Sequence, residues 1–233
     1  MANKSSDQKP KDLIRDAWES LGIAFAFNQS GTRNADPEKT LLQTLCEFQN
    51  DRKMLTLVMG WLRDYRHLIH VERLKALANK LSASELAWLG GLASHQAEAG
   101  DARWKNLVQF VERKLGKPLP NFTSSRLDEL QSERVGEDRF FKRFGLHVPR
   151  TEPADSKKLR PLSAGIMANI WLRMRALFGT NWRADTAVVL LHGVAKNAYQ
   201  TERILGCSRE TAYRNWRSLI EADAGSLLRG TLG

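Results

Sequence analysis

Apolar residues recur at helical spacing along most of the chain. Asp36 followed by Pro37 is typical of a helix N-cap and the first helical residue. The segment after this pair has its apolar side chains on one helical face, namely Leu41, Leu42, Leu45 and Phe48. Ser82 with Glu85 matches the capping-box pattern at the start of another helix. Since no run of alternating β-branched residues occurs, the pattern predicts an all-α, mostly helical protein.

Prolines and a loss of periodicity divide the chain into three parts. We predict an N-terminal helical domain over 1–120, a basic connecting region over 121–161 and a C-terminal helical domain over 162–233. Within the connecting region, "SSRLDELQSERVGEDRFFKRFG" is typical of one helix or two. The segment "HVPRTEPADSKKLRPLS" has three prolines and no periodicity, which predicts a linker or an extended arm.

Four helices are predicted in the C-terminal domain. In the first, "AGIMANIWLRMRALFG", one face carries Ile166, Ile170, Met174 and Leu177, which leaves Arg173 and Arg175 nearer solvent. The second covers about Ala184 to His192 and is mostly apolar. Asn197 can cap a third helix that stops at Gly206, and Ser208 can cap a fourth. On this last helix one face is expected to pack, through Ala212, Trp216, Leu219 and Ile220.

The last three of these helices, with the turn at Gly206, resemble the helix-turn-helix of winged-helix DNA-binding proteins. The resemblance covers Asp185 to Gly225 and rests on Leu205-Gly206, the polar start "SRET", and Ala212 with Leu219. It implies that the final helix enters the DNA major groove. The residues that it assigns to base or phosphate contact are Ser208, Arg209, Thr211, Tyr213, Arg214 and Arg217.

The sequence departs from this family at two points. Glu202 replaces the usual small residue and Thr201 the usual aliphatic one, which predicts an unusual packing angle between the last two helices. The residues after Leu219 are too few for a two-stranded wing, so a second DNA contact is expected from elsewhere. The basic arm around Lys157, Lys158 and Arg160 is the expected source.

The charge of the chain supports a polyanionic partner. The formal net charge is +10, and residues 139–175 hold nine basic side chains against Glu152 and Asp155. Together with the resemblance, this predicts a sequence-specific regulator of transcription that binds double-stranded DNA as a homodimer. The N-terminal helices would supply the dimer contact or bind a cognate protein, as in antitoxins and phage-defence regulators that repress their own operon. A protein-interaction adaptor that does not read DNA is the main alternative.

An enzyme is the less favoured class. Arg63 and His70, separated by six residues, have a spacing similar to the Arg-His motif of the all-helical HEPN ribonucleases. His67 and His70 are expected to be surface histidines rather than metal ligands, and neither a cofactor nor a metal is predicted. Glycine-rich phosphate loops and G-x-S-x-G are absent from the sequence.

The cysteines and the apolar runs bear on location. Cys46 and Cys207 are far apart and in no metal-ligand spacing, so both are expected to be partly buried thiols in a reducing cytosol. No apolar run approaches the length needed to span a bilayer. The sequence therefore predicts a cytoplasmic protein with no membrane contact.

Overall fold

The computed structural model describes residues 10–25, 34–117, 122, 126–161 and 169–222, and within them the chain is all-α, as predicted. The α-helices are α1 (Pro10–Ser20), α2 (Pro37–Thr44), α3 (Arg52–Tyr65), α4 (Val71–Leu77), α5 (Ala83–Glu98), α6 (Ala102–Leu115), α7 (Arg126–Val135), α8 (Arg139–Lys142), α9 (Ile170–Phe178), α10 (Trp182–Leu191), α11 (Ala198–Leu205) and α12 (Arg209–Glu221). Single 3-10 turns occupy Leu45–Glu47, Arg66–Leu68, Ala78–Lys80 and Ser156–Lys158. The described residues form isolated β-bridges but no strand.

The predicted helix starts of the N-terminal part are confirmed. The Asp36 carboxylate accepts a hydrogen bond from the Lys39 backbone N–H at 3.2 Å, and Ser82 forms the full capping box with Glu85. Two indoles lie at the centre of the core, because Trp18 and Trp61 are fully buried and meet edge-on at 5.5 Å. Their N–H groups are satisfied inside the protein, as expected for buried tryptophans.

The connecting region is part of the N-terminal core rather than a free linker. Gly136, with a φ of 81°, separates α7 from α8, which resolves the choice between one helix and two. The extended segment that follows α8 buries four apolar side chains in the core of the N-terminal helices, namely Leu146, Val148, Ala154 and Leu159. Its backbone also bonds to the domain, since the Ala154 N–H donates to the Thr56 carbonyl at 2.9 Å.

Two adjacent glycines on α5 allow α8 to pack closely against it. A Cβ atom at Gly91 would lie 2.1 Å from Cδ1 of Phe141, and one at Gly90 would lie 2.7 Å from Cδ1 of Phe144. Both phenylalanines are fully buried. Gly91 therefore fixes how near α8 approaches α5, and Gly90 does the same for the turn after α8.

We expect Gly91→Ala to lower the free energy of unfolding by about 1–3 kcal/mol, because overpacking forces a rigid ring to move. Chemical denaturation followed by circular dichroism would measure this change. A smaller side chain opposite should relieve the clash, so the double variant Gly91→Ala/Phe141→Leu is expected to lose less stability than the two single variants together. Strict additivity, or a Gly91→Ala variant as stable as the parent, would contradict this account of the contact.

The helices α9 to α12 surround a second apolar cluster. The Asn197 side chain caps α11, Gly206 takes the left-handed conformation at a φ of 76°, and Ser208 caps α12, all as predicted. The shared core includes Met174, Val188, Leu205, Ala212 and Leu219. We call this group of helices the C-terminal unit.

Three details of the predicted C-terminal helices are wrong. The first helix has its N-cap at Asn169, and Ile166 lies outside the described residues. Leu177 is 63% exposed, whereas Arg175 is fully buried, so the buried stripe is rotated relative to the prediction. Ile220 is 53% exposed and does not join the packed face of α12.

Candidate nucleic-acid interface

The helix α12 has one packed face and one free face. Ala212 and Leu219 are buried against the rest of the C-terminal unit, and Trp216 is partly buried beside them. Ser208 accepts a hydrogen bond from the Thr211 backbone N–H at 3.2 Å, and its hydroxyl lies 2.9 Å from the Thr211 hydroxyl. The Ser208 and Thr211 hydroxyls therefore both take part in the cap. The longer side chains of α12 take no part in it.

The free face of α12 is formed by the remaining sequence-predicted residues. Arg209, Tyr213, Arg214 and Arg217 are all exposed. Arg217 donates to the Glu221 carboxylate at 2.6 Å, and this hydrogen bond raises the pKa of the arginine above its usual value. The structure thus brings these four side chains together on one helix and points them away from the core.

Neighbouring helices add exposed cations that the sequence analysis did not assign. Arg183 at the start of α10, Lys196 before α11 and Arg203 within α11 are all exposed. Arg203 lies 5.9 Å from the ring of Tyr199, which is itself 61% exposed. The sequence does not show that these basic residues belong with α12, because residues on different helices become neighbours only in the folded protein.

The turn between α11 and α12 packs on the N-terminal part. A Cβ atom at Gly206 would lie 3.7 Å from Cβ of Ala76, which lies in the last turn of α4. Cys207 is buried next to this turn, and burial raises the pKa of its thiol. Cys46 differs from its prediction, because it is exposed.

Beneath the C-terminal unit lies a buried charge cluster that the sequence analysis did not find. We use this name for Asp36, Glu38, His70, Arg73, Arg175 and Asp185. Arg175 donates to Glu38 at 2.6 Å and to Asp185 at 2.8 Å, and all three side chains are fully buried. Its guanidinium also donates to the Leu68 carbonyl at 2.6 Å.

A second arginine extends the cluster towards the N-cap of α2. Arg73 donates to Glu38 at 2.6 Å and also pairs with Asp36. The indole of Trp171 lies against both guanidinium groups, 4.5 Å from that of Arg73 and 5.6 Å from that of Arg175. Stacking on an aromatic face suits arginine because its guanidinium is planar and weakly hydrated.

The electrostatics of the cluster favour its charged state. Burial alone lowers the pKa of Arg175, but Asp185 and Glu38 outweigh it and the net pKa is raised above the usual arginine range. Burial alone raises the pKa of Asp185, yet Arg175, His70 and Arg73 hold it well below the usual range. The cluster joins α2 and α4 of the N-terminal part to α9 and α10 of the C-terminal unit, so it fixes one against the other.

His70 belongs to the buried charge cluster and is not a surface histidine. Its Nδ1 lies 2.6 Å from Asp185 Oδ2, and its ring meets Trp182 edge-on at 4.4 Å. Arg63 is instead exposed, on α3, where it pairs with Asp64 at 2.7 Å. The structure therefore does not place the two residues of the HEPN-like spacing in one open cleft.

The predicted basic arm lies along the N-terminal part. Lys157 and Lys158 are exposed, and the Lys158 carbonyl accepts the Ala24 N–H at 2.9 Å. Arg160 is half-buried and pairs with Glu19 at 2.7 Å. The contacts that the structure gives for this arm are thus with the N-terminal part rather than with α12.

The described residues show neither a metal site nor a membrane-spanning helix. In the part of the chain that the structure describes, no three His, Cys, Asp or Glu side chains lie close enough together to hold a metal ion. Among the described helices, none combines the length and the apolar character that crossing a bilayer requires. A comparison with known protein families, with curated proteins and with solved structures finds no match to this chain.

Proposed function

We propose that the chain is a sequence-specific regulator that binds double-stranded DNA, with α12 as the helix that enters the major groove. The observation that carries this proposal is the two-faced character of α12. It packs through Ala212 and Leu219, follows a left-handed glycine turn, and presents Arg209, Arg214 and Arg217 to solvent. A helix that reads bases needs one packed face and one free polar face.

The roles within α12 follow from position. Arg209 and Arg214 lie in the N-terminal half, where a reading helix brings side chains to base edges. An arginine can donate two hydrogen bonds to guanine, which is worth about 1–3 kcal/mol of discrimination between bases. Arg217 lies further along, where phosphate contact is the expected role.

A single reading helix recognises too few base pairs to find one site in a genome. We therefore propose a homodimer on a two-fold site, with the N-terminal helices providing the dimer contact or the surface for a cognate protein. Autorepression of an operon, of the antitoxin or phage-defence type, is the biological role that fits such a protein. No cofactor is needed for this activity.

The test is Arg214→Ala against a library of duplex fragments from the source genome. Because Arg214 is exposed, the free energy of unfolding of the variant should stay within about 0.5 kcal/mol of that of the parent. The variant is expected to lose its preference for the parent's fragments and to retain weak, salt-sensitive binding to any duplex. Arg150→Ala, another exposed arginine, is the matched control and should select the parent's fragments.

Protein interaction is the second candidate, and one observation favours it. Tyr213 and Ile220 are seven residues apart on α12, so they share a face, and they are 60% and 53% exposed. Exposed apolar side chains that share a face are typical of surfaces that bind proteins. If Arg209→Ala, Arg214→Ala and the double variant all select the parent's fragments with the parent's affinity, α12 does not read DNA and this candidate becomes the better one.

A further inference from the structure

A charged groove lies on the N-terminal part, between the end of α3 and the start of α6. Its volume is about 460 Å³, and the polar side chains lining it are Arg63, Asp64, Arg66, His67 and Asp101. We call it the Arg66 groove. It is open to solvent and distinct from the buried charge cluster.

The side chains that line the Arg66 groove carry two positive and two negative charges, and Arg103 beside Asp101 adds a third positive charge. Arg63 pairs with Asp64 at 2.7 Å, and Asp101 pairs with Arg103 at 2.6 Å, so these charges largely cancel. Arg66 donates to two backbone carbonyls, those of Arg63 at 2.9 Å and Ala99 at 3.4 Å. Among the described residues, no carboxylate lies within ion-pair distance of its guanidinium. Asp101, whose pKa is lowered mainly by its hydrogen bond with Arg103 and also by the charge of Arg66, is the acidic group with which an anion would compete.

The pKa of His67 reflects the positive charges near it. Partial burial lowers the pKa of its imidazole, and the positive charges of Arg103 and Arg66 lower it further. Burial and the two nearby guanidinium groups therefore disfavour the protonated, charged form of His67.

The loop before α10 contacts the groove, and α10 itself contacts α12. The Thr180 hydroxyl donates to the His67 carbonyl at 2.7 Å, which joins the groove to the loop before α10. Three residues further on, Arg183 donates to the Ser218 hydroxyl on α12 at 3.0 Å and remains exposed. The loop before α10 thus contacts the backbone of the groove, and the start of α10 contacts the second half of α12.

The other end of the groove meets the basic arm. Ser156 accepts a hydrogen bond from Arg63 at 2.8 Å and donates one to Asp64 at 2.9 Å. Lys157 and Lys158, both exposed, come directly after it in the chain. The arm that the sequence analysis singled out is therefore adjacent to the Arg66 groove.

We propose that Arg66 and Arg183 bind backbone phosphates of the same DNA duplex that α12 reads. This inference rests on the proposed DNA-binding function and assigns to that duplex a second line of contact, through Arg66 on the N-terminal part and Arg183 at the start of α10. The second half of a reading helix lies near the DNA backbone, and Ser218 of α12 is the residue that Arg183 contacts. A guanidinium is also the side chain best matched to phosphate oxygens.

The experiment measures affinity for a labelled duplex against salt concentration, with the full chain and its glutamine variants. Each phosphate contact contributes about 0.9 to the slope of log affinity against log salt. Arg66→Gln and Arg183→Gln are each expected to reduce this slope by about one, and the double variant by about two. The loss should be the same for every duplex sequence, since phosphates carry no sequence information.

Arg113→Gln is the matched control. Arg113 is exposed, and it lies on α6 near the opposite end from the groove. If the Arg66 and Arg183 variants keep the parent's slope, as this control should, the second line of contact does not exist. A loss of specificity in Arg214→Ala would in that case still support α12 as the reading helix. If the parent binds no duplex, the proposed function and this inference both fail.

Discussion

Replacement of Arg175 by alanine is expected to lower the free energy of unfolding by about 3–5 kcal/mol, which is the usual cost of removing one member of a buried ion pair. Arg175 bonds to Glu38, Asp185 and the Leu68 carbonyl from a fully buried position. Without it, Asp185 keeps only His70 as a direct partner among these contacts, and its carboxylate must stay charged in a site that water does not reach. Urea or guanidinium unfolding, followed by circular dichroism, would measure the loss.

Two further variants separate the charge from the loss of volume. Arg183→Ala removes an exposed arginine from the same unit and should change the free energy of unfolding by no more than about 0.5 kcal/mol. Arg175→Met/Asp185→Leu removes a positive and a negative charge together and fills the space with apolar atoms. This double variant is expected to be more stable than Arg175→Ala. A similar, small loss for Arg175→Ala and Arg183→Ala would mean that the cluster is open to water in solution.

The buried charge cluster also explains why α9 is rotated from its predicted orientation. Two stripes of α9 have helical spacing, one through Ile170, Met174 and Leu177, the other through Trp171, Met174 and Arg175. The sequence favours the first stripe because it contains no charge. The structure buries the second, since the partners that make a buried arginine tolerable come from α2 and α10.

These partners could not be predicted from the pattern of the chain. Glu38 and Arg175 are 137 positions apart, and His70 and Asp185 are 115 positions apart. Nothing in the local sequence distinguishes Glu38 from an ordinary acidic residue in the first turn of a helix. A long-range ion pair leaves no periodic signal, so neither it nor the burial of His70 follows from spacing.

Features that depend on neighbouring residues were predicted well. The caps at Asp36, Asn197 and Ser208 and the left-handed turn at Gly206 require only a few adjacent residues. The packed face of α12 follows in the same way from helical periodicity, apart from Ile220 at its exposed edge. The Arg66 groove could not be predicted in this way, because its residues come from the ends of two different helices.

The affinity of the full chain for duplex DNA is expected to fall roughly a thousandfold between about 50 and 200 mM salt. Besides Arg209 and Arg214, the described residues of the C-terminal unit carry four exposed cations, Arg183, Lys196, Arg203 and Arg217, and the basic arm adds Lys157 and Lys158. If about six phosphates are neutralised, the slope of log affinity against log salt is about −5, since each contact releases bound counterions. Fluorescence anisotropy with one labelled duplex, repeated across this range of salt, would measure the slope.

The variant Arg217→Gln then tests whether α12 contributes to that slope. Loss of its phosphate contact should reduce the slope by about one, while Arg113→Gln on the N-terminal part should leave it unchanged. Arg217 is exposed, so folding should be preserved and the change can be assigned to DNA contact. An affinity that hardly responds to salt would mean that phosphates are not the main contacts of α12. The exposed Tyr213 and Ile220 would then argue for a protein partner on this helix.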